Sequence, residues 1–98
     1  MELVFRDDEL DRLDADPSFD GGHQPGIVKA FRKRMQQIRA AVDERDFYKQ
    51  RSLRFEKLRG SRAHQHSMRL NDQWRLIVEL QGRGRDKVVV VVGIEDYH

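Results

Sequence analysis

The chain has 98 residues, 37% of them charged, no cysteine, and a formal net charge of +2. That length suits one domain, 1–98, with a modest core in a two-layer fold, and the lack of cysteine excludes disulfide staples, a thiol nucleophile and thiolate metal sites. No apolar run approaches the ~20 residues that cross a bilayer, and the N-terminal stretch lacks a basic region leading into an apolar one, so neither a membrane span nor a signal peptide is expected and the chain reads as cytoplasmic.

Leu3-Val4-Phe5 predicts a short first strand. Asp7 or Asp8 can cap a short helix that carries Leu10 and Leu13. Residues 14–26, dense in Asp, Gly and Pro, predict a loop. Pro25 suits the first turn of the next helix, where its missing N–H costs nothing. Ile27, Phe31, Met35, Ile38 and Val42 then fall at helical spacing and predict an amphipathic helix over 25–43, with Lys29, Arg32, Lys33, Arg34 and Arg39 on its other face. A further helical turn is expected within 44–51. Residues 52–65 look irregular, anchored by Leu53, Phe55 and Leu58. Three strands follow, over 66–70, 74–80 and 87–94. The first two alternate, and the last is apolar throughout, as expected of a strand covered on both faces. Residues 82–86 form the turn between the last two. The order is β-α-α-β-β-β, an α+β fold with a mostly antiparallel sheet packed against two helices.

Charge is unevenly placed. Residues 1–20 hold eight Asp/Glu against two Arg, whereas residues 27–69 hold thirteen Lys/Arg against four Asp/Glu. A basic middle of that density is an electrostatic footprint for phosphates. Strand parity places two of these cations. With a two-residue turn after Leu70, each face would mix arginines with core residues. With a three-residue turn, Asn71-Asp72-Gln73, Leu70 faces Trp74, Met68 faces Leu76, and Arg69 faces Arg75. One face is then apolar and the other carries two adjacent guanidinium groups. Burial specifies register strongly, so the three-residue turn is expected, with Gln73 at its left-handed position. Like charges directly opposite cost about 0.2–1 kcal/mol, and an anion that meets them offsets this. Glu79 or Asp96 could instead neutralise one of them.

The last strand delivers Glu95, Asp96, Tyr97 and His98. A neutral imidazole can take a proton near cellular pH, a phenol can donate a hydrogen bond or stack on a base, and a carboxylate can orient the imidazole or act as a base. Four histidines, His23, His64, His66 and His98, show no helical i, i+4 pair, so no metal site is expected.

Three ordered segments go further: Phe55-Glu56-Lys57-Leu58-Arg59-Gly60, then residues 67–80 ("SMRLNDQWRLIVEL"), then Ile94-Glu95-Asp96-Tyr97-His98. Together they resemble the HigB group of RelE-superfamily toxins from bacterial toxin–antitoxin pairs, which show a Leu-Lys/Arg-Gly turn, an arginine-bearing strand-turn-strand, and a final Asp-Tyr-His. The likeness is close over the second half of the chain and extends to the strand-helix-helix order of the first. It implies a RelE-like fold and a ribosome-dependent endoribonuclease that cleaves mRNA in the A site without a metal or other cofactor, by attack of the ribose 2′-hydroxyl on the adjacent phosphate. It implies as partners a helix-turn-helix antitoxin of the HigA kind, the 70S ribosome and mRNA, with operator DNA met only through the antitoxin and no membrane.

The resemblance also implies roles. Arg75 and Arg69 would hold the scissile phosphate, and Arg59 stands where the family usually has the lysine of its turn, with Lys57 and Arg54 as neighbouring cations for substrate. Asp96 or His98 would transfer protons and Tyr97 would stack on or orient a base. Many relatives carry a histidine shortly before that turn; here Arg54 or Glu56 takes its place, and Glu56 is a candidate base. The same scaffold also supports ParE-like gyrase-directed toxins, or a catalytically weak module that binds the antitoxin and tunes repression. The terminal Asp-Tyr-His and the paired strand arginines favour the nuclease.

Overall fold

The computed structural model describes residues 1–96, and the backbone only of Arg85. Its elements are β1 (Glu2–Phe5), α1 (Asp8–Ala15), α2 (Pro25–Ala40), α3 (Arg45–Lys49), β2 (Glu56–Lys57), β3 (Gln65–Arg69), β4 (Trp74–Gln81) and β5 (Val88–Asp96), with short 3-10 turns at Arg51–Leu53, Gly60–Arg62 and Gly84–Asp86. The sheet runs β1-β5-β4-β3-β2. β1 is parallel to β5, and every other pairing is antiparallel.

The Asp7 side chain caps α1 by accepting from the Leu10 N–H at 2.9 Å, and Asp8, Glu9 and Asp11 in the first turn suit the positive end of the helix dipole. Leu10 and Leu13 are buried. α2 starts at Pro25 and buries Ile27, Val28, Phe31, Arg34, Met35 and Ile38. It stops at Ala40, three residues short of the expected end, and Val42 is 85% exposed rather than part of the apolar stripe. The reason is local competition. Asp46 Oδ2 accepts from the Val42 N–H at 2.8 Å and Asp43 Oδ1 from the Arg45 N–H at 2.9 Å, which offers the backbone partners outside the helix. Ala41 turns extended and is the last buried residue of that segment.

The helices pack on one face of the sheet. Phe31, Met35, Ile38, Phe47, Leu53, Met68, Leu76, Val78, Val89 and Val91 are each fully buried there, and each large one contributes about 1.5–3 kcal/mol by leaving water. The 52–65 segment, expected to be irregular, contributes β2 as a two-residue edge strand; so short a strand carries too little periodicity to be seen in sequence. Leu53 and Phe55 anchor it in the core, while Leu58 is half-buried.

The turn after β3 has three residues, and Arg69 pairs with Arg75 and Met68 with Leu76, as parity requires. It is closed differently from expectation. Among the described residues the only non-glycine with positive φ is Arg54, so Gln73 is not left-handed. Instead Asn71 Oδ1 accepts from the backbone N–H groups of Gln73 (2.8 Å) and Trp74 (2.7 Å), an Asx turn that replaces the strained residue.

One irregularity governs the far end of β5. Val78 pairs with Val91 but Ile77 pairs with Gly93, so Val92 is an extra residue in a bulge. The bulge resets the alternation. Val89 and Val91 face the helices before it, Ile94 and Asp96 after it, and Gly93 and Glu95 turn to the opposite face.

Candidate active site

Directly paired residues share a face, so the register builds the helix-free face row by row. Arg69, Arg75 and Glu95 form the first row; Glu56, Ser67, Ile77 and Gly93 the second; Gln65, Glu79, Val90 and Val4 the third. Two guanidiniums thus stand side by side on this face, flanked by one carboxylate, with Glu56 in the adjacent row.

Arg75 lies on the face opposite the apolar core, as parity places it, yet it is only 6% exposed. Its Nη2 donates to the Arg54 carbonyl at 2.6 Å and to Ser67 Oγ at 2.8 Å. Arg54 takes a left-handed φ of 46°, which costs a non-glycine residue about 1–2 kcal/mol, and in this geometry its carbonyl meets the guanidinium. The Arg54 backbone therefore orients Arg75, while its own side chain is exposed.

Arg69 is half-buried and ion-pairs with Asp72, whose side chain is 97% exposed. A pair so open to water contributes little, so Arg69 exchanges it readily for another anion. From below, Arg34 Nε donates to the Arg69 carbonyl at 2.9 Å. Arg34 is 7% exposed, and burial first, then the neighbouring Arg69 cation, pull its pKa down. Its Nη1 donates to Gln37 Oε1, and Gln37 Nε2 to Gln50 Oε1, each at 2.9 Å, so a polar chain through the helix layer fixes the end of β3.

The sequence-predicted residues divide between the faces. Arg69, Arg75 and Glu56 share the helix-free face, and Arg59 is exposed in the turn after β2. Lys57 pairs with His66 and so points to the opposite side. Asp96 pairs with Trp74, on the helix side, and accepts from Gln73 Nε2 at 3.0 Å. Tyr97 and His98 lie outside the described residues. Glu79, a candidate to neutralise the arginine pair, accepts instead from Gln65 Nε2 (2.9 Å) and Arg6 Nη2 (2.8 Å), and these bonds, Gln65's first, hold its pKa below the usual carboxylate range. His66 stacks on Phe55 with ring centroids 4.7 Å apart, and burial first, then Lys57, lowers its pKa. It serves as part of the packing against Phe55.

Several neighbours of the site escaped the sequence. Ser67 is 1% exposed and Gln65 7%; both lie at the same parity as Arg69, which was the available signal. Arg62 and Glu95 form a forked ion pair on this face, and nothing local predicts it. His23, from the loop before α2, meets Trp74 edge-on at 6.5 Å. Among the described residues no group of three or more His, Cys, Asp or Glu could hold a metal ion.

A family model described as the RelE-like toxin HigB of type II toxin–antitoxin systems matches residues 3–98. The chain belongs to the HigB-like toxins. A solved structure of a YoeB/ParE toxin from Agrobacterium tumefaciens is similar over 100% of both chains, with a TM-score of 0.63 at 17% sequence identity; at that identity the likeness concerns the fold. No protein among those with curated functions matches. As a type II toxin, this HigB-like chain has an antitoxin as its partner, and no helix among the described residues is long and apolar enough to cross a membrane.

Proposed function

We propose that this HigB-like toxin is a cytoplasmic, ribosome-dependent endoribonuclease that cuts mRNA in the A site without a metal. The observation that carries this reading is the Arg69–Arg75 pair, directly opposed on the one sheet face that no helix covers, with Arg75 locked by a carbonyl and a hydroxyl. A preorganised cation on a half-buried face stabilises the charge that grows on phosphorus without reorganising at the moment of reaction.

In the proposed step a base removes the 2′-OH proton, O2′ attacks the neighbouring phosphorus, and the bond to O5′ breaks as an acid delivers a proton to it. The products are a 2′,3′-cyclic phosphate and a free 5′-hydroxyl. Arg75 and Arg69 hold the non-bridging oxygens. His98 supplies proton transfer, or Asp96 does so by leaving Gln73 and swinging round the end of β5 from the helix side, and Tyr97 orients a base. Glu56, one row from Arg75, is a further candidate base. Arg59 and Arg54 are the cations for the flanking RNA backbone, and Lys57 serves the same role from the opposite face of β2. A helix-turn-helix antitoxin of the HigA kind is the proposed partner that silences the activity.

The test is primer extension on mRNA after induction, together with cleavage by purified protein. The wild type should cut mRNA on translating ribosomes and leave free RNA largely intact, and His98→Ala should abolish cutting while antitoxin binding persists. Equal cleavage of free RNA would refute the ribosomal site.

A further inference from the structure

The Leu58-Arg59-Gly60 turn and the end of β5 carry separate motifs in the sequence, and one ion pair joins them in space. Arg62 Nη1 and Nη2 donate to Glu95 Oε1 and Oε2 at 2.9 and 2.6 Å, fork to fork. Arg62 Nε donates to Gln65 Oε1 at 2.9 Å. Glu95 belongs to the first row and Gln65 to the third, so the guanidinium crosses the second row, where Ile77 is only 3% exposed on a face without helices. The strap has a firm footing. Gln65 donates onward to Glu79, which also takes Arg6, so a chain of five side chains links the end of β5 to the end of β1.

Glu95 is the strand partner of Arg75. Released from Arg62, its carboxylate would face the proposed phosphate-binding cation and compete with phosphate. We propose that Arg62 and Glu95 form a positioning clamp, which holds the Leu58-Arg59-Gly60 turn against the strand leading into Asp96, Tyr97 and His98 and keeps the Glu95 carboxylate off Arg75. The clamp rests on the nuclease reading for its catalytic consequence.

The two partners differ in their effect on substrate affinity, which separates a clamp from ordinary structural support. Arg62→Ala leaves a carboxylate beside Arg75, so KM for ribosome-bound mRNA rises while kcat falls. Glu95→Gln keeps the shape and loses the charge, so kcat falls about tenfold with KM unchanged or lower. The double exchange R62E/E95R restores kcat to within about threefold of wild type, whereas each single reversal does not. Amide exchange at residues 59–63 quickens in the single variants and returns to the wild-type pattern in the double exchange. A double exchange no better than either single variant, or a rise in kcat on Glu95→Gln, overturns the clamp; the latter would mark a latch that opens to activate. If the wild type cleaves nothing, the nuclease reading fails by itself. The clamp is then judged by amide exchange and by binding of a single-stranded RNA oligonucleotide, which Arg62→Ala weakens and Glu95→Gln does not. Unchanged exchange with equal binding in all variants overturns it.

Discussion

Arg75 and Arg69 are adjacent in one row and differ in how the fold treats them. Arg75 is buried and spoken for by the Arg54 carbonyl and Ser67; Arg69 is half-buried and pairs with an exposed aspartate. Substituting them therefore separates structure from chemistry. Arg75→Ala leaves a carbonyl and a hydroxyl without a donor and should lower stability by about 1–3 kcal/mol, besides cutting kcat by about 10²–10³, as loss of a preorganised donor does. Arg69→Ala should weaken substrate binding and turnover with less than about 0.5 kcal/mol lost, as surface changes do. Thermal melts and single-turnover cleavage check both. Strand parity made the opposition of Arg69 and Arg75 legible in the sequence. The depth of Arg75 was not legible, because it depends on a left-handed residue in a different segment.

At the scale of elements, the β3–β4 turn is held by one side chain. Asn71→Ala removes the acceptor for two backbone N–H groups and should cost about 1 kcal/mol per lost hydrogen bond, read as a lower melting temperature. Asn71→Asp should retain most of it, since a carboxylate accepts the same bonds. β3 also carries His66 into the layer against Phe55. Its pKa is depressed there, by burial and by Lys57, with Glu44 opposing. The unfolded chain, with its imidazole near ~6.5, therefore binds more protons below that pH than the folded one. The contribution of neutral His66 is complete above about pH 6.5 and is lost as pH falls toward the lower folded value. Melting temperatures at pH 7 and pH 5.5 should differ less for His66→Gln than for the wild type.

Over the whole molecule the charges separate by function. The acidic first twenty residues supply caps and partners, as in Asp7 for α1 and Asp14 for Arg39, while the basic middle puts Arg69 on the open face of the sheet and Arg59 in the exposed turn after β2. Binding of single-stranded RNA should fall with salt at a slope of about −0.7 per phosphate contact. Three contacts give a slope of about −2, and Arg69→Ala should reduce its magnitude by about 0.7. A salt-independent affinity would mean that the pair meets no phosphate.

Local chemistry determined much by itself. Helical spacing placed α2, the Asp7 cap placed α1, and the need to bury Met68 and Leu76 on one side set the β3–β4 register, because each depends on neighbours within one element or one turn. The family likeness rested on short segments of the same kind. Tertiary structure alone decided the rest. The Val92 bulge turns Glu95, rather than Asp96, toward Arg75, and a bulge arises only where two strands meet. Arg62 reaches Glu95 across 33 positions of sequence, Arg34 reaches Arg69 across 35, and the Arg54 carbonyl meets Arg75 across 21. Such contacts leave no periodic trace, since each arginine alone reads as an ordinary surface charge and each backbone carbonyl as any other until the fold closes the distance between them.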